Sequence, residues 1–307
     1  MNNIILAPSM IKFENFDDLF VGQPVEIERN LTELLPQAVE NKSIYVQILS
    51  QIALAQAMQK KFHVANETLN TAENFLNPED HVAKARILLE RGRVLMQQGD
   101  SPAARPFFQK SYDLAAAHHL DYHRCNAAHM IAIVANTPDE KIKWNALAIT
   151  LAERSTISRA RMWLGSLYNN LGHAYIEKKQ YARALDSLEK AKSIRKQEGH
   201  ACNIRVAEWA VARALRLLDR TDEALSLLLP LLETYDSMVK SQSLDIPIEI
   251  LPSIRGLVYE ELALIYGAKG REFAALAYDD LSKDEWFKKL EPQRLMWLEA
   301  QGKKESV

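Results

Sequence analysis

The chain has 307 residues, with 38 Lys plus Arg against 40 Asp plus Glu, so bulk charge points to neither nucleic acid nor a membrane surface as partner. Only 10 Gly and 11 Pro are present, while Ala, Leu, Glu, Gln and Lys dominate, which predicts an all-α protein, and no run of alternating β-branched residues is long enough to demand a sheet.

In chain order, residues 1–23 mix apolar and aromatic side chains (Phe13, Phe16, Phe20), and their Ile4-Ile5-Leu6 patch lacks the basic flank and length of a secretory signal. No apolar run approaches the roughly eighteen residues of a membrane span. The two cysteines, Cys125 and Cys202, fit a reducing compartment, so a cytoplasmic location is expected. A helix is predicted from Pro24, ended or kinked at Pro36, and residues 1–45 read as an N-terminal cap.

From there a small residue is followed five times, twelve positions later, by alanine: Ala53/Ala65, Gly92/Ala104, Gly172/Ala184, Ala212/Ala224 and Ala263/Ala275. Two helices cross at close range only where neither carries bulk, so each pair marks the two arms of a helical hairpin. A weaker copy has Ala128, the turn Thr137-Pro138-Asp139-Glu140, and Glu140 where alanine is expected. Gly99 and Gly270 are placed where a helix end needs a left-handed residue, and Asp100 and Thr221 where the second helices need N-caps. Residues 241–247 and Pro252 read as a loop before the last hairpin. Trp286, Phe287, Leu290, Leu295, Met296 and Leu298 predict a C-terminal cap at 285–307.

The clearest copy reads Tyr168-x2-Leu171-Gly172-x2-Tyr175, then Ala184-x3-Leu188-x2-Ala191. It resembles the tetratricopeptide repeat (TPR), W-x2-L-G-x2-Y…A-x3-F…P. The resemblance implies a single domain over residues 1–307, a right-handed superhelical solenoid of about six helical hairpins between capping helices, with repeats over 46–284. With the small residue at repeat position 8, the repeats start at Val46, Ala85, Asp121, Gly165, Arg205 and Gly256.

In the family, first helices line a concave groove, and positions 2, 5, 6, 9, 12 and 13 commonly face the ligand. Position 9 then runs Arg93, His129, His173, Arg213 through the central repeats, and the two middle ones share Asn-x-x-His: Asn126 with His129, Asn170 with His173. Arg86 and Arg216 would flank this ladder, and Trp209 would supply an apolar wall. An asparagine amide both donates and accepts, so it can hold an extended backbone whatever its side chains. Arg and partly protonated His offer charge-assisted bonds to carboxylate or phosphate. The lysines of the chaperone-tail clamp are absent from positions 2 and 5. The bland alternative is that Arg and His pair with neighbouring acids (Glu90 with Arg93 and Arg86, Glu208 with Arg205) and only line the groove.

Chemistry beyond binding finds little support. No P-loop, GxGxxG, GxSxG or HExxH is present. His118 and His119 are adjacent and point to different sides of a helix. Cys125 and His129 are helical neighbours, but zinc takes four ligands, or three plus water, and packing explains the pair. The expectation is a non-catalytic protein-interaction module that takes an extended peptide or acidic tail, without cofactor, metal, nucleic acid or membrane partner, and with self-association open through its termini. The alternative is a peptide-sensing regulator whose solenoid curvature changes on binding. Residues 1–45 are too few for the helix-turn-helix domain plus linker that such regulators usually carry.

Overall fold

The computed structural model describes residues 20, 22–241 and 251–303. The expectations for Phe13, Phe16, Ile4–Leu6 and the loop over 242–247 lie outside the described residues. All regular structure among the described residues is helical. None of these helices is long and apolar enough to cross a membrane. Internal contacts group the chain into two compact units, Met1–Trp163 and Leu164–Val307.

The first unit begins with α1 (Pro24–Leu34), which Pro24 starts and which passes into a 3-10 turn (Leu35–Ala38) at Pro36. Three hairpins follow: α2 (Lys42–Met58) with α3 (Phe62–Asn74), α4 (His81–Gln97) with α5 (Ser101–Ala117), and α6 (Asp121–Ile133) with α7 (Pro138–Arg154). The short α8 (Ser158–Arg161) closes the unit. The first hairpin starts at Lys42, four residues before the expected Val46, because the Asn41 side chain accepts the Ile44 N–H and caps the helix there. Asp80, Asp100 and Thr137 cap α4, α5 and α7 in the same way. Ile27, Leu31 and Leu34 of α1 pack on Ile48, Ile52 and Ala55 of α2.

The second unit holds α9 (Leu164–Glu177) with α10 (Tyr181–Glu198), α11 (Ala201–Leu217) with α12 (Thr221–Ser241), and α13 (Leu251–Tyr266) with α14 (Arg271–Leu281). Pro252 lies in the first turn of α13 rather than in a loop. The helices α15 (Glu285–Leu290) and α16 (Pro292–Gly302) close the unit. Phe287, Leu295 and Leu298 cover Tyr259, Ala263, Ala274 and Ala277. Thr221 is the first residue of α12, so the capping position falls on Arg220.

The small residues do what their spacing predicts. A Cβ on Gly92 would fall 2.4 Å from a ring carbon of Phe108, and one on Gly172 would fall 2.5 Å from Cγ of Leu188. Ala53, Ala65, Ala104, Ala184, Ala212 and Ala224 are all fully buried. Sixteen residues after each small residue, Leu69, Phe108, Leu188 and Leu228 plug the crossing, fully buried, each contributing roughly 1.5–3 kcal/mol. Seven residues after it, Lys60, Gly99, Lys179 and Asp219 take left-handed φ angles of 63°, 87°, 57° and 59°.

Two hairpins depart from this register. In α7 the buried face is Asn145, Ala148, Ile149 and Ala152, so the alanine position belongs to Lys141 and not to Glu140, which instead pairs with Arg105. In the last hairpin a 3-10 turn (Gly267–Gly270) replaces the standard junction. Gly267, not Gly270, is left-handed there (φ 53°). Gly270 is needed because a Cβ would sit 2.8 Å from the Ala263 carbonyl oxygen. The residue that packs on Ala263 is therefore Ala274, while Ala275 abuts the backbone of Gly302.

Candidate functional site

In the first unit the predicted ligand-facing residues are turned on one another. Arg86 is buried, and its Nε donates to Oε1 of Gln47, one helix away, at 3.1 Å. Arg93 donates through Nη1 to Oε1 of the fully buried Glu90 at 3.0 Å, and through Nη2 to Oδ1 of Asn126 at 2.7 Å. Asn126 is itself buried, and His129 packs edge-on against Trp163 with centroids 5.0 Å apart. Glu90 thus pairs with Arg93 as the bland alternative has it, whereas Glu208 bonds Lys196 at 3.3 Å.

The histidines are not the partly protonated donors expected from sequence. Burial, reinforced by Arg93, pushes the His129 pKa down to about 4. Burial and then Arg213 push His173 down to about 4, and burial and then Arg86 push His123 to about 3. All three are neutral at pH 7, since burial removes the imidazolium from water and a neighbouring arginine repels it.

The Cys125/His129 pair does not converge. The Cys125 thiol donates to the Ala148 carbonyl at 3.6 Å, and burial, then Asp121, pushes its pKa up to about 12. No group of three or more His, Cys, Asp or Glu among the described residues is placed to hold a metal ion. His118 stacks on His81, with centroids 3.5 Å apart.

The second unit brings its predicted residues together on α9 and α11. Trp209 is buried and fixed by its Nε1, which donates to the Leu257 carbonyl at 3.1 Å. The half-buried His173 ring lies 6.1 Å from the Trp209 ring, and the Arg213 guanidinium lies 5.8 Å from that ring on α11. Arg213 Nε stands 3.6 Å from Oε1 of Glu261, and Arg216 Nε donates to Oε2 of the same carboxylate at 2.5 Å.

About two turns toward the N-terminal ends of α9 and α11 from this cluster lies a pocket of about 110 Å³. It is lined by Gly165, Ser166, Asn169 and Asn170 of α9, Ala191 and Arg195 of α10, and Asn203, Val206 and Ala207 of α11. Arg195 crosses its floor, held by Ser166 Oγ at 2.6 Å and by Glu198 at 2.7 Å. It fits there because Gly165 has no Cβ; one would lie 2.9 Å from Arg195 Nε. The Asn169 and Asn203 amides have no hydrogen-bonding partner among the described residues. Pockets that enclose small molecules run to roughly 300–1,000 Å³, so this one suits a single side chain or a length of backbone.

Of the predicted residues only Asn170 lines this pocket. Ser166 and Asn169 occupy positions 2 and 5 of the same repeat, so the position rule could have found them. Asn203 precedes its repeat's first position, and Arg195 sits on a second helix, so no such signal reaches them.

Residues 165–198, the α9–α10 hairpin, match the tetratricopeptide repeat family model. No curated protein matches the chain. Among solved structures, BtubC (BKLC) from P. vanneervenii aligns at 16% identity and TM-score 0.59, over 77% of this chain and 95% of that one. NprR in complex with its cognate peptide NprX aligns at 14% identity and TM-score 0.57, over 95% and 85%. A signal transduction ATPase with numerous domains and a tetratricopeptide repeat sensor, from Pyrococcus horikoshii, aligns at 13% identity and TM-score 0.65; 97% of this chain covers 47% of that one. At these identities the likeness is one of fold.

Proposed function

We propose that this chain, a repeat protein of the TPR type, is a binding module that takes an extended peptide along the α9–α11 face of its second unit. The observation that carries the reading is the pair of amides, Asn169 and Asn203, standing on facing helices with no partner among the described residues. Each amide can donate to a peptide carbonyl and accept from a peptide N–H, which grips backbone independently of sequence. Val206 and Ala207 give the pocket an apolar wall for one side chain.

The distance fits the same ligand. From Asn203 to Arg213 is ten residues of α11, about 15 Å at the helical rise, or roughly four to five residues of extended peptide. At one end the ligand's backbone meets the amides; at the other its side chains meet His173, Trp209 and Arg213. Neutral His173 supplies a hydrogen-bonding edge and Arg213 supplies the charge, so an acidic group on the ligand belongs at the Arg213 end. NprR, solved in complex with its cognate peptide, supports peptide capture by this fold.

The first unit carries a different role in this reading. Its Arg86, Arg93, Asn126 and His129 are buried or paired internally and stiffen the α2–α4–α6 packing rather than contact ligand.

The test is retention of a random heptapeptide library on the immobilised chain. Retention by the wild type is expected to fall about tenfold or more in an Asn169→Ala, Asn203→Ala double variant, which loses up to four hydrogen bonds of about 0.5–1.5 kcal/mol each. Equal retention by both proteins would remove the asparagine pair from the site.

A further inference from the structure

We infer that Glu261 is a built-in competitor for the groove's arginines, so that an acidic ligand binds Arg213 by displacing the Glu261 carboxylate from it. The inference rests on the peptide-binding reading and adds what sets its affinity for acidic ligands.

Glu261 lies on α13, across from α11, and is 1% exposed. Its two oxygens are divided: Oε2 accepts from Arg216 Nε at 2.5 Å, while Oε1 faces Arg213 Nε at 3.6 Å. The first contact is a charge-assisted hydrogen bond; the second is an ion pair too long to be one. Arg213 Nε is buried without a hydrogen-bond acceptor among the described residues.

Arg213 and Arg216 share one facing carboxylate, that of Glu261. The neighbouring Glu260 does not supply the second carboxylate, because it is paired with Arg294 of α16, which also faces Glu291 at 3.4 Å. The Arg213 side chain is about a quarter exposed while the Glu261 carboxylate is almost wholly buried, so an incoming acid meets Arg213 and not Glu261. The Trp209 face beside it limits where an incoming carboxylate can stand.

An acid arriving at Arg213 therefore meets attraction from two arginines and repulsion from Glu261 behind them. Removing that one negative charge changes anion affinity by about tenfold or more, since at an effective dielectric of about 20 a unit charge contributes about tenfold even at about 12 Å. Glu261 thus holds the two arginines in place in the free protein and keeps acidic ligands exchangeable.

The random heptapeptide library is passed over the full chain, its Glu261→Gln variant and its Arg213→Gln variant, and the retained pools are sequenced. In the wild type Asp and Glu are expected to be enriched. Glu261→Gln is expected to raise that enrichment about tenfold or more, and Arg213→Gln to return it to the library background. Retention without a rise in Glu261→Gln overturns the competitor role and leaves peptide binding standing. Failure of the wild type to retain any peptide overturns the binding reading, and this inference with it. If Glu261→Gln does not fold by circular dichroism, Glu261→Asp serves: the shorter side chain keeps a carboxylate but withdraws it from Arg213, and an unchanged enrichment there overturns the inference.

Discussion

Acid should destabilise the first unit through two histidines of α6. His123 and His129 are buried, and their pKa values of about 3 and about 4 lie below the ordinary 6.5. In the unfolded chain each binds a proton below pH 6.5; in the folded chain it does so only near pH 3–4. Unfolding therefore takes up protons in this window, and stability rises with pH across it. The stabilisation is fully present above pH 6.5 and is lost as pH falls toward 4. At pH 5, about one and a half units below the unfolded value and above both folded ones, each histidine withdraws about 2 kcal/mol, at about 1.4 kcal/mol per unit. Together they withdraw about 4 kcal/mol, a large share of the roughly 5–15 kcal/mol that holds a typical domain. Urea unfolding followed by circular dichroism at pH 7 and pH 5 measures the loss, and carboxylates that titrate in the same range contribute equally to a His123→Gln control. The loss between the two pH values is expected to be about 2 kcal/mol smaller in His123→Gln than in the wild type. An identical loss in both proteins would refute the reasoning, as would an imidazole proton of His129 whose chemical shift titrates near pH 6.5.

Three further outcomes are expected. Gly165→Ala places a Cβ 2.9 Å from Arg195 Nε, so the flexible guanidinium must swing off Ser166. Thermal stability should hold or rise by a few tenths of a kcal/mol from the better helix former, while peptide retention falls; retention at the wild-type level would show that the Arg195 floor is not part of the site. Gly92→Ala drives a methyl into the Phe108 ring and should cost about 1–3 kcal/mol in urea unfolding, most of it recovered by adding Phe108→Leu; additive losses in the double variant would contradict direct contact. Lys179→Gly relieves a left-handed conformation at an exposed turn and should raise stability by about 0.5–1 kcal/mol, the αL cost less the added chain entropy. A loss on this substitution would mean that the Lys179 side chain contributes something its exposure hides.

The hairpins were legible because close crossing of helices is a negative requirement: no Cβ at Gly92 or Gly172, and only a methyl at Ala53 and Ala212. That requirement repeats, so spacing reports it. It failed at the last hairpin, where the Gly267–Gly270 turn shifts the partner from Ala275 to Ala274 without any change in residue type to signal it. It failed at Glu140 because α7 has no alanine at the crossing to mark the register.

The site was legible to the extent that it follows the repeat. Asn170, His173, Trp209 and Arg213 share the α9–α11 side of the second unit because repeat positions 5, 6 and 9 fall on one helix face. Arg195 was hidden because it reaches the pocket from a second helix, through space vacated by Gly165. The charge state of the histidines was hidden too, since burial and not residue identity decides it, and the same Asn-x-x-His motif is fully enclosed by α6 but half open on α9. The Arg-His-His-Arg order therefore has two meanings: Arg93 and His129 belong to the packing of their unit, and His173 and Arg213 to its surface.

The left-handed turns have a consequence for engineering. Lys60, Lys179 and Asp219 hold an unfavourable backbone angle at exposed positions, although glycine would hold it at lower cost, as Gly99 does at the equivalent place. These turns join the two helices of each hairpin, and none of them lines the pocket of Asn169 and Asn203. Rigidity and recognition are therefore written in different residues of this chain. Its thermal tolerance can be raised turn by turn, without altering any group that would meet a peptide.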